Sequence, residues 1–291
     1  MPDLKPFIVS GIALGGVFSL SGVGMTVLYQ ATGVLNLAYG AIGATGALVG
    51  WELIGNGMSN WLAYAIAIGF AAALSTLYGV VFGPLLAGRD ALVKAMATLG
   101  FALILLGACF WHWSDDPRVL DLPTTAETYD VGGLRVNLTQ VLALVFAAVL
   151  TAGTALFLRK ARTGVALRSL AEDREISAIL GIRVRRVEAT AWLVSGLICG
   201  LSGLLLANLV RLEAGTLTFL VIASLAACTV GRFRSLALTL AGGLAIGIIE
   251  AVATPFQTVS PYRSAAPFLV AILVLLALGW RKTIVISEQR R

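Results

Sequence analysis

Charge is what this sequence has least of. Only 12% of its 291 residues are Asp, Glu, Lys or Arg, against about a quarter in soluble domains. Hydrophobic residues make up 58% and mean hydropathy is +0.92, which excludes a water-soluble globular domain. Histidine is almost missing: His112 stands alone, so a multi-histidine metal site is excluded. The three cysteines, Cys109, Cys199 and Cys228, each lie in an apolar run without paired spacing. They read as small buried hydrophobes and not as a disulfide framework. No G-x-x-x-x-G-K-[ST] phosphate loop occurs, so any ATP must be hydrolysed by another polypeptide. There is no H-E-x-x-H, no Ser/His/Asp set and no pair of carboxylates at membrane depth, which sets aside an intramembrane enzyme. We assign no catalytic residue, cofactor or metal ligand. The opening residues MPDLKPF lack a basic n-region, and no small-residue cleavage site ends the run that follows, so that run reads as a retained span.

What is present is hydrocarbon in long runs. Crossing about 30 Å of lipid takes about 20 apolar residues as a helix. Runs of that kind fall near 7–29, 33–54, 61–87, 93–112, 138–158, 189–210, 214–230, 236–255 and 264–281. The run 214–230 is short and the run 33–54 is glycine-rich, so either can be a partial or re-entrant span. The expected fold is therefore an all-α polytopic bundle of about eight to nine transmembrane helices forming one domain over 1–291. The 32 glycines fit that class, because small residues let helix backbones approach where lipid supplies no hydrophobic drive.

The segments between spans decide orientation. With a cytoplasmic C-terminus, 16 of the 21 basic residues fall inside, eight of them between Arg159 and Arg186. The outside keeps Lys5, Arg118, Arg135, Arg211 and Arg263, and its long loop, about 113–137, carries five acids. This is the positive-inside asymmetry. The net charge of +6 is thus a topology signal, and no interleaving with exposed aromatics points to nucleic acid. His112, between Trp111 and Trp113 at the external end of a span, reads as part of an interfacial belt.

One cytoplasmic segment, about 159–188, interrupts the hydrocarbon with charge. In it Leu167, Leu170 and Ala171 recur at helical spacing, as do Ile176, Ile179 and Leu180. Gly181 follows where a helix would end. The pattern predicts two short amphipathic helices, or one bent helix, broken near Glu172–Asp173–Arg174. A helix lying in the membrane interface on lipid headgroups is one reading. A docking surface for a protein is the other, because three acids and one base in Glu172–Asp173–Arg174–Glu175 suit a complementary partner better than an anionic leaflet.

These residues resemble a known family. The stretch from Arg162 to Leu205 is similar to the cytoplasmic loop and following helix of LivH-type permeases, the membrane subunits of bacterial branched-chain amino-acid ABC transporters. Their pattern, T-G-x-A-x-R-[AS]-x-A-x-D-x-x-x-x-A-x-x-G-I, is met by Thr163, Gly164, Ala166, Arg168, Ser169, Ala171, Asp173, Ala178, Gly181 and Ile182. The likeness extends to the first spans, through Gly24, Thr26, Leu28 and Tyr29, then Leu35, Asn36, Leu37, Ala38, Tyr39 and Gly40. Many members carry histidine where this chain has Tyr39. Near the other end Gly242, Gly243, Gly247 and Glu250 meet the family's G-G-x-x-x-G-x-x-E, while VGRFRS (Val230 to Ser235) stands where relatives usually show a glycine pair.

The resemblance implies a coupling loop that sits in a cleft of a cytoplasmic ATPase. Its docking residues would be Arg168, Glu172, Asp173, Arg174, Ala178 and Gly181. It further implies two ABC ATPase subunits, a second permease subunit (a related chain or a second copy), a periplasmic substrate-binding protein and residence in the bacterial inner membrane. The cargo it implies is branched-chain amino acids or similar small polar solutes, moved inward. A self-sufficient channel or secondary transporter for urea or amides is the alternative. Polar groups at membrane depth invite functional readings, and Gln30, Asn36 and Glu250 are the candidates. Asn36 reads equally as a packing hydrogen bond or as pathway lining; Glu250 reads as a buried structural or gating partner before a substrate ligand. Gly40, Gly43, Gly46 and Gly50 form a ridge for tight helix packing, or, if unwound, a pathway lining. The pathway or gating candidates are Asn36, Gly40 and Glu250.

Overall fold

In the computed structural model, which describes residues 4–276 apart from 115, 121, 126, 132 and 133, the long helices fall close to the expected runs. In chain order they are α1 (Lys5–Thr32), α2 (Tyr39–Gly55), α3 (Asn60–Leu86), α4 (Ala91–Trp113), α5 (Leu138–Lys160), α6 (Arg162–Glu172), α7 (Arg174–Ile179), α8 (Val184–Leu209), α9 (Ala214–Phe219), α10 (Val221–Val230) and α11 (Leu236–Ala253). A last apolar helix covers Tyr262–Leu276. The departure from an all-α chain among the described residues is a hairpin of β1 (Thr128–Val131) and β2 (Leu134–Asn137), antiparallel with Thr128 opposite Asn137.

The expected count of eight to nine crossings is not reached on helix length. Among the described residues six helices, α1, α3, α4, α5, α8 and α11, are long and apolar enough to span a membrane. Helix α2 has 17 residues, and the run 214–230 is divided at Leu220 into α9 and α10. The run 264–281 is described only to residue 276, and Arg281, Lys282, Arg290 and Arg291 lie outside the described residues.

Helix α1 is the axis of the bundle. Its 28 residues reach about 42 Å at about 1.5 Å per residue, and it packs on α11, α8, α5 and α10. A helix apolar on every side is stable only when enclosed, and α1 buries Val17, Phe18, Leu20 and Val23 completely. What permits the closest of these contacts is glycine. Cβ atoms added to Gly11 and Gly15 would lie 2.7–2.9 Å from α11, and one on Gly247 would lie 2.3 Å from the Gly15 nitrogen. Ser19 Oγ adds a hydrogen bond across the seam to the Leu240 carbonyl at 2.8 Å. The G-G-x-x-x-G segment therefore serves backbone contact. The second tight pair is α3 with α8, where Gly79 accommodates the Trp192 ring and Ser75 Oγ donates to the Trp192 carbonyl at 2.9 Å. Away from their ends, the exposed side chains of α3, α4 and α5 are apolar, among them Leu77, Leu103, Ile104 and Val149, as lipid-facing surfaces require.

The two ends of the bundle differ. At the hairpin end the loop after α4 is stapled down. Asn208 Nδ2 donates to the Leu120 carbonyl at 2.7 Å, Arg118 pairs backbone with Leu212, and its guanidinium lies 5.0 Å over the Trp51 ring. Glu52 accepts from Trp113 Nε1 at 3.0 Å and has His112 Nε2 at 3.6 Å. The opposite end is formed by α6, α7, the C-terminus of α1 and the turn between α10 and α11.

Candidate functional site

The α6–α7 face is built from two helices that turn their apolar sides in opposite directions. Helix α6 folds back over the end of α5 at Gly164, where a Cβ would meet the Phe157 carbonyl oxygen at 2.1 Å. Its Leu167 and Leu170 then join the buried cluster containing Val27, Leu28 and Ala31 of α1. Helix α7 has only six residues, too few to hold a helix on propensity, and it is fixed at both ends. Asp173 Oδ1 accepts from the Glu175 and Ile176 amides, both at 2.9 Å, an N-cap. At the other end Gly181 takes φ +82°, and the amides of Gly181 and Ile182 donate to the carbonyls of Ala178 and Ser177, a Schellman closure. Arg174 Nε, 3.0 Å from Glu188 Oε1, ties α7 to α8.

So held, α7 buries Ser177 and exposes Ile176, Ile179 and Leu180, which are 56%, 84% and 74% accessible. The six residues expected at a docking surface do lie together here, but they divide by role. Asp173 and Gly181 shape the helix, and Arg174 is committed to Glu188. Arg168, Glu172 and Ala178 are exposed, and among the described residues neither Arg168 nor Glu172 has an ion-pair partner within 4 Å.

Across from α6, the turn after α10 holds an unusual backbone. Arg232 and Phe233 take φ of +54° and +52°, a conformation that costs a residue with a Cβ about 1–2 kcal/mol. The turn is held by Gln30, whose Nε2 donates to the carbonyls of Phe233 and Arg234, both at 3.0 Å. The Phe233 ring packs on Tyr29 with centroids 4.7 Å apart. Gln30, singled out from its membrane depth, thus joins the end of α1 to this turn.

The remaining candidates lie deeper. Between α1 and α2 the chain is not helical from Gly33 to Leu37, although Val34 and Asn36 are buried. Unwound backbone inside a bundle needs local partners, and Thr98 of α4 supplies them. Its hydroxyl accepts from the Leu37 amide at 3.1 Å and lies 3.0 Å from the Leu35 carbonyl and 2.8 Å from that of Ala95. Asn36 Oδ1 accepts from the Ala38 amide at 3.0 Å, while its Nδ2 is buried without a partner. Helix α2 then starts in contact with mid-bundle backbone. Cys199 Sγ donates to the Tyr39 carbonyl at 3.0 Å, and a Cβ on Gly40 would lie 2.5 Å from the Thr218 oxygen. Gly43 faces Gly203, and Gly46 and Gly50 face Ala67, so the whole ridge is a packing surface. A small internal cavity borders Gly40, Gly43, Ser21, Ser202 and Ser224.

Glu250 is apart from Asn36 and Gly40, in the part of α11 nearer the hairpin end. One carboxylate oxygen, Oε2, is buried without a hydrogen-bond partner. The residue borders an open cavity of about 560 Å³, together with Glu213, Thr216, Phe219 and Phe268. Leu220, at the α9–α10 break, borders this cavity and the internal one.

Two features escaped the sequence reading. Thr98 is one threonine in an apolar run, with its partners some 60 residues away; only its polarity marked it. The left-handed turn carried a signal, the unusual VGRFRS, which charge alone could not convert into geometry.

Residues 7–280 match the family described as branched-chain amino acid transport system / permease component. The high-affinity branched-chain amino acid transport system permease protein LivH of Escherichia coli K12 is 26% identical over 286 residues, 92% of this chain and 92% of its own length. BraD of Pseudomonas aeruginosa, of the same description, is 24% identical over 296 residues, 95% of each chain. A solved structure described as a metal-chelate type ABC transporter, inward-facing, covers 97% of this chain and 85% of its own, at 17% identity and a TM-score of 0.46.

Proposed function

The chain belongs to the branched-chain amino acid transport permease family, as the membrane permease subunit of an importer and not as an enzyme, and from that premise we propose how it is oriented and driven. The α6–α7 face lies in the cytoplasm and is the coupling surface on which an ABC ATPase docks. The observation that carries this is the outward set Ile176, Ile179 and Leu180 on a helix capped at both ends. Burying side chains of this kind stabilises an interface by up to about 1.5–3 kcal/mol each, and a braced short helix passes on displacement instead of absorbing it. Glu172 and Glu175 flank the apolar residues, which favours a protein partner over an anionic membrane surface.

Two ATPase subunits, a second permease subunit and a periplasmic binding protein complete the machine. The cargo is a branched-chain or related small amino acid, the class that the relatives' names carry. On this reading α2, the broken α9–α10 pair and the last helix complete eight or nine passages as partial spans, with the C-terminus cytoplasmic and the whole of 1–291 one membrane domain. Asn36, Gly40 and Glu250 line or gate the route.

The test is assembly. Purified alone, the chain should hydrolyse no ATP; expressed with its ATPases, it should retain them through purification. Ile176→Asp and Ile179→Asp should each release them and stop uptake. Variants that keep both assembly and uptake would refute the docking surface. Solute movement by the reconstituted chain without nucleotide would refute the ATP-driven reading altogether.

A further inference from the structure

Beside the exposed side of α7 lies a cleft of about 640 Å³, bordered by Gln30, Arg168, Glu172, Arg174, Arg232 and Arg234 among others. Arg174 is neutralised by Glu188. Arg168, Arg232 and Arg234 are exposed and form no ion pair within 4 Å among the described residues, which leaves three guanidinium groups against the one described carboxylate that borders the cleft, that of Glu172. The walls are the end of α1, α6 with the start of α7, and the turn after α10.

We propose that this cleft is a second contact for the docked ATPase, receiving an acidic segment of that protein. The inference rests on the docking reading above and adds to it a different element of the chain and a stated partner chemistry. Three observations carry it. First, the excess of guanidinium fits carboxylates, which arginine's planar fork can bind in bidentate fashion. Second, the turn that presents Arg232 and Arg234 is held in a conformation that glycine would adopt freely and that Arg232 and Phe233 adopt at a cost. Strained backbone of this kind persists where its surroundings over-determine it, and it concentrates at functional sites. Here Gln30 and Tyr29 supply the restraint. Third, Glu172 at the end of α6 and Arg174 at the start of α7 border the cleft, so it begins five residues before Ile179.

An anionic lipid headgroup offers similar charge, but position argues against it. The cleft is walled by the end of α1, the helix at the centre of the bundle, together with α6 and the turn after α10. Glu172 inside the cleft also suits a protein surface of mixed charge better than a leaflet. A partner held here grips α1 through Gln30 as well as α7, so ATPase closure would reach the bundle axis directly.

The experiment uses the complete transporter, purified through the tagged permease, with ATPase retention measured over a range of salt. Arg232→Gly combined with Arg234→Ala removes two charges and relieves the strain at position 232, so the permease should melt no lower than wild type. ATPase affinity should fall by at least about tenfold at low salt, and the difference from wild type should shrink at high salt. Arg232→Lys with Arg234→Lys should restore only part of it, since lysine returns the charge without the bidentate fork. Ile179→Asp is the reference. If Ile179→Asp releases the ATPase and the arginine variant retains it at wild-type affinity, the cleft proposal is overturned while the α7 surface stands. If both variants retain it, the docking reading fails, and this inference with it. If the arginine variant keeps its ATPase but loses a dependence of uptake on phosphatidylglycerol in the vesicles, the cleft is a lipid site and the proposal is wrong.

Discussion

The seam between α1 and α11 can be tested by adding a single methyl group. In Gly247→Ala the new Cβ would sit 2.3 Å from the Gly15 nitrogen and 2.4 Å from the Gly15 Cα. Ordinary contact begins near 3.4 Å, so the helices must part by about 1 Å or the methyl must be accommodated by tilting one of them. Both neighbouring atoms are backbone, and no side chain can swing away. Overpacking of this kind costs about 1–3 kcal/mol. Separation would also stretch the Ser19–Leu240 hydrogen bond, worth about 0.6 kcal/mol between membrane helices. Replacing glycine by alanine in a helix returns up to about 1 kcal/mol. The expected net loss is about 1–3 kcal/mol. Gly153 of α5 has nothing within 4 Å of a built Cβ, so Gly153→Ala should be neutral or slightly stabilising. The buried thiols of Cys109, Cys199 and Cys228 supply the assay: a thiol-reactive fluorophore reports unfolding as the detergent-solubilised protein is heated. Gly247→Ala should melt several degrees below wild type and Gly153→Ala at or above it. Coincident melting of the two variants would refute the close backbone contact.

Three further outcomes follow from single side chains. Asp173→Ala should lower α7 stability by about 0.5–2 kcal/mol through loss of its N-cap, seen as faster hydrogen exchange over 174–179 and weaker ATPase retention; Asp173→Asn, still able to cap, should retain most of both. Thr98→Val leaves the Leu37 amide and Leu35 carbonyl without their shared partner and should destabilise the protein by about 1–3 kcal/mol, with Thr98→Ser close to wild type in the same thiol-reactivity melt. Glu250→Gln removes a charge whose Oε2 has no partner, so melting and ATPase retention should be unchanged while uptake by proteoliposomes falls severalfold; unchanged uptake would remove Glu250 from the route.

Hydrocarbon length and glycine spacing made most of the bundle legible. The runs 61–87, 93–112, 138–158, 189–210 and 236–255 reappear as α3, α4, α5, α8 and α11 with ends shifted by a few residues, because apolar length is a local property. The break at Asp173 and the stop at Gly181 were legible for the same reason, since caps are written in the residues that make them. Direction was not. Periodicity finds an apolar stripe on α6 and on α7 alike, yet Leu167 turns into the bundle and Ile179 turns out; only the placement of α1 decides between them. Nor does any local pattern show that Glu52 has Trp113 as a partner, a pairing made where the end of α4 closes over the end of α2. The glycines of α2 had two readings: close contacts with Thr218, Gly203 and Ala67 fit packing at all four, while Gly40 and Gly43 also border a small cavity. Pairings across long sequence separation, such as Thr98 with Leu35 or Gln30 with Phe233, leave no trace in composition.

The hydroxyl of Thr98 has a mechanical consequence. It stands about two turns into α4, whose first turn carries Lys94. Lys94 shares one narrow cavity with Arg174, Glu188 and Val34. A sideways push on α7 therefore has a short route inward: from Arg174 to the base of α4, from Thr98 to the unwound strand at Leu35 and Leu37, and from there to the foot of α2. The first stage is a shared cavity and the later ones are hydrogen bonds and continuous chain, and between Gly33 and Leu37 the chain already lacks helical structure. Displacement begun at the membrane surface can arrive in the middle of the bundle without bending any of its long rods.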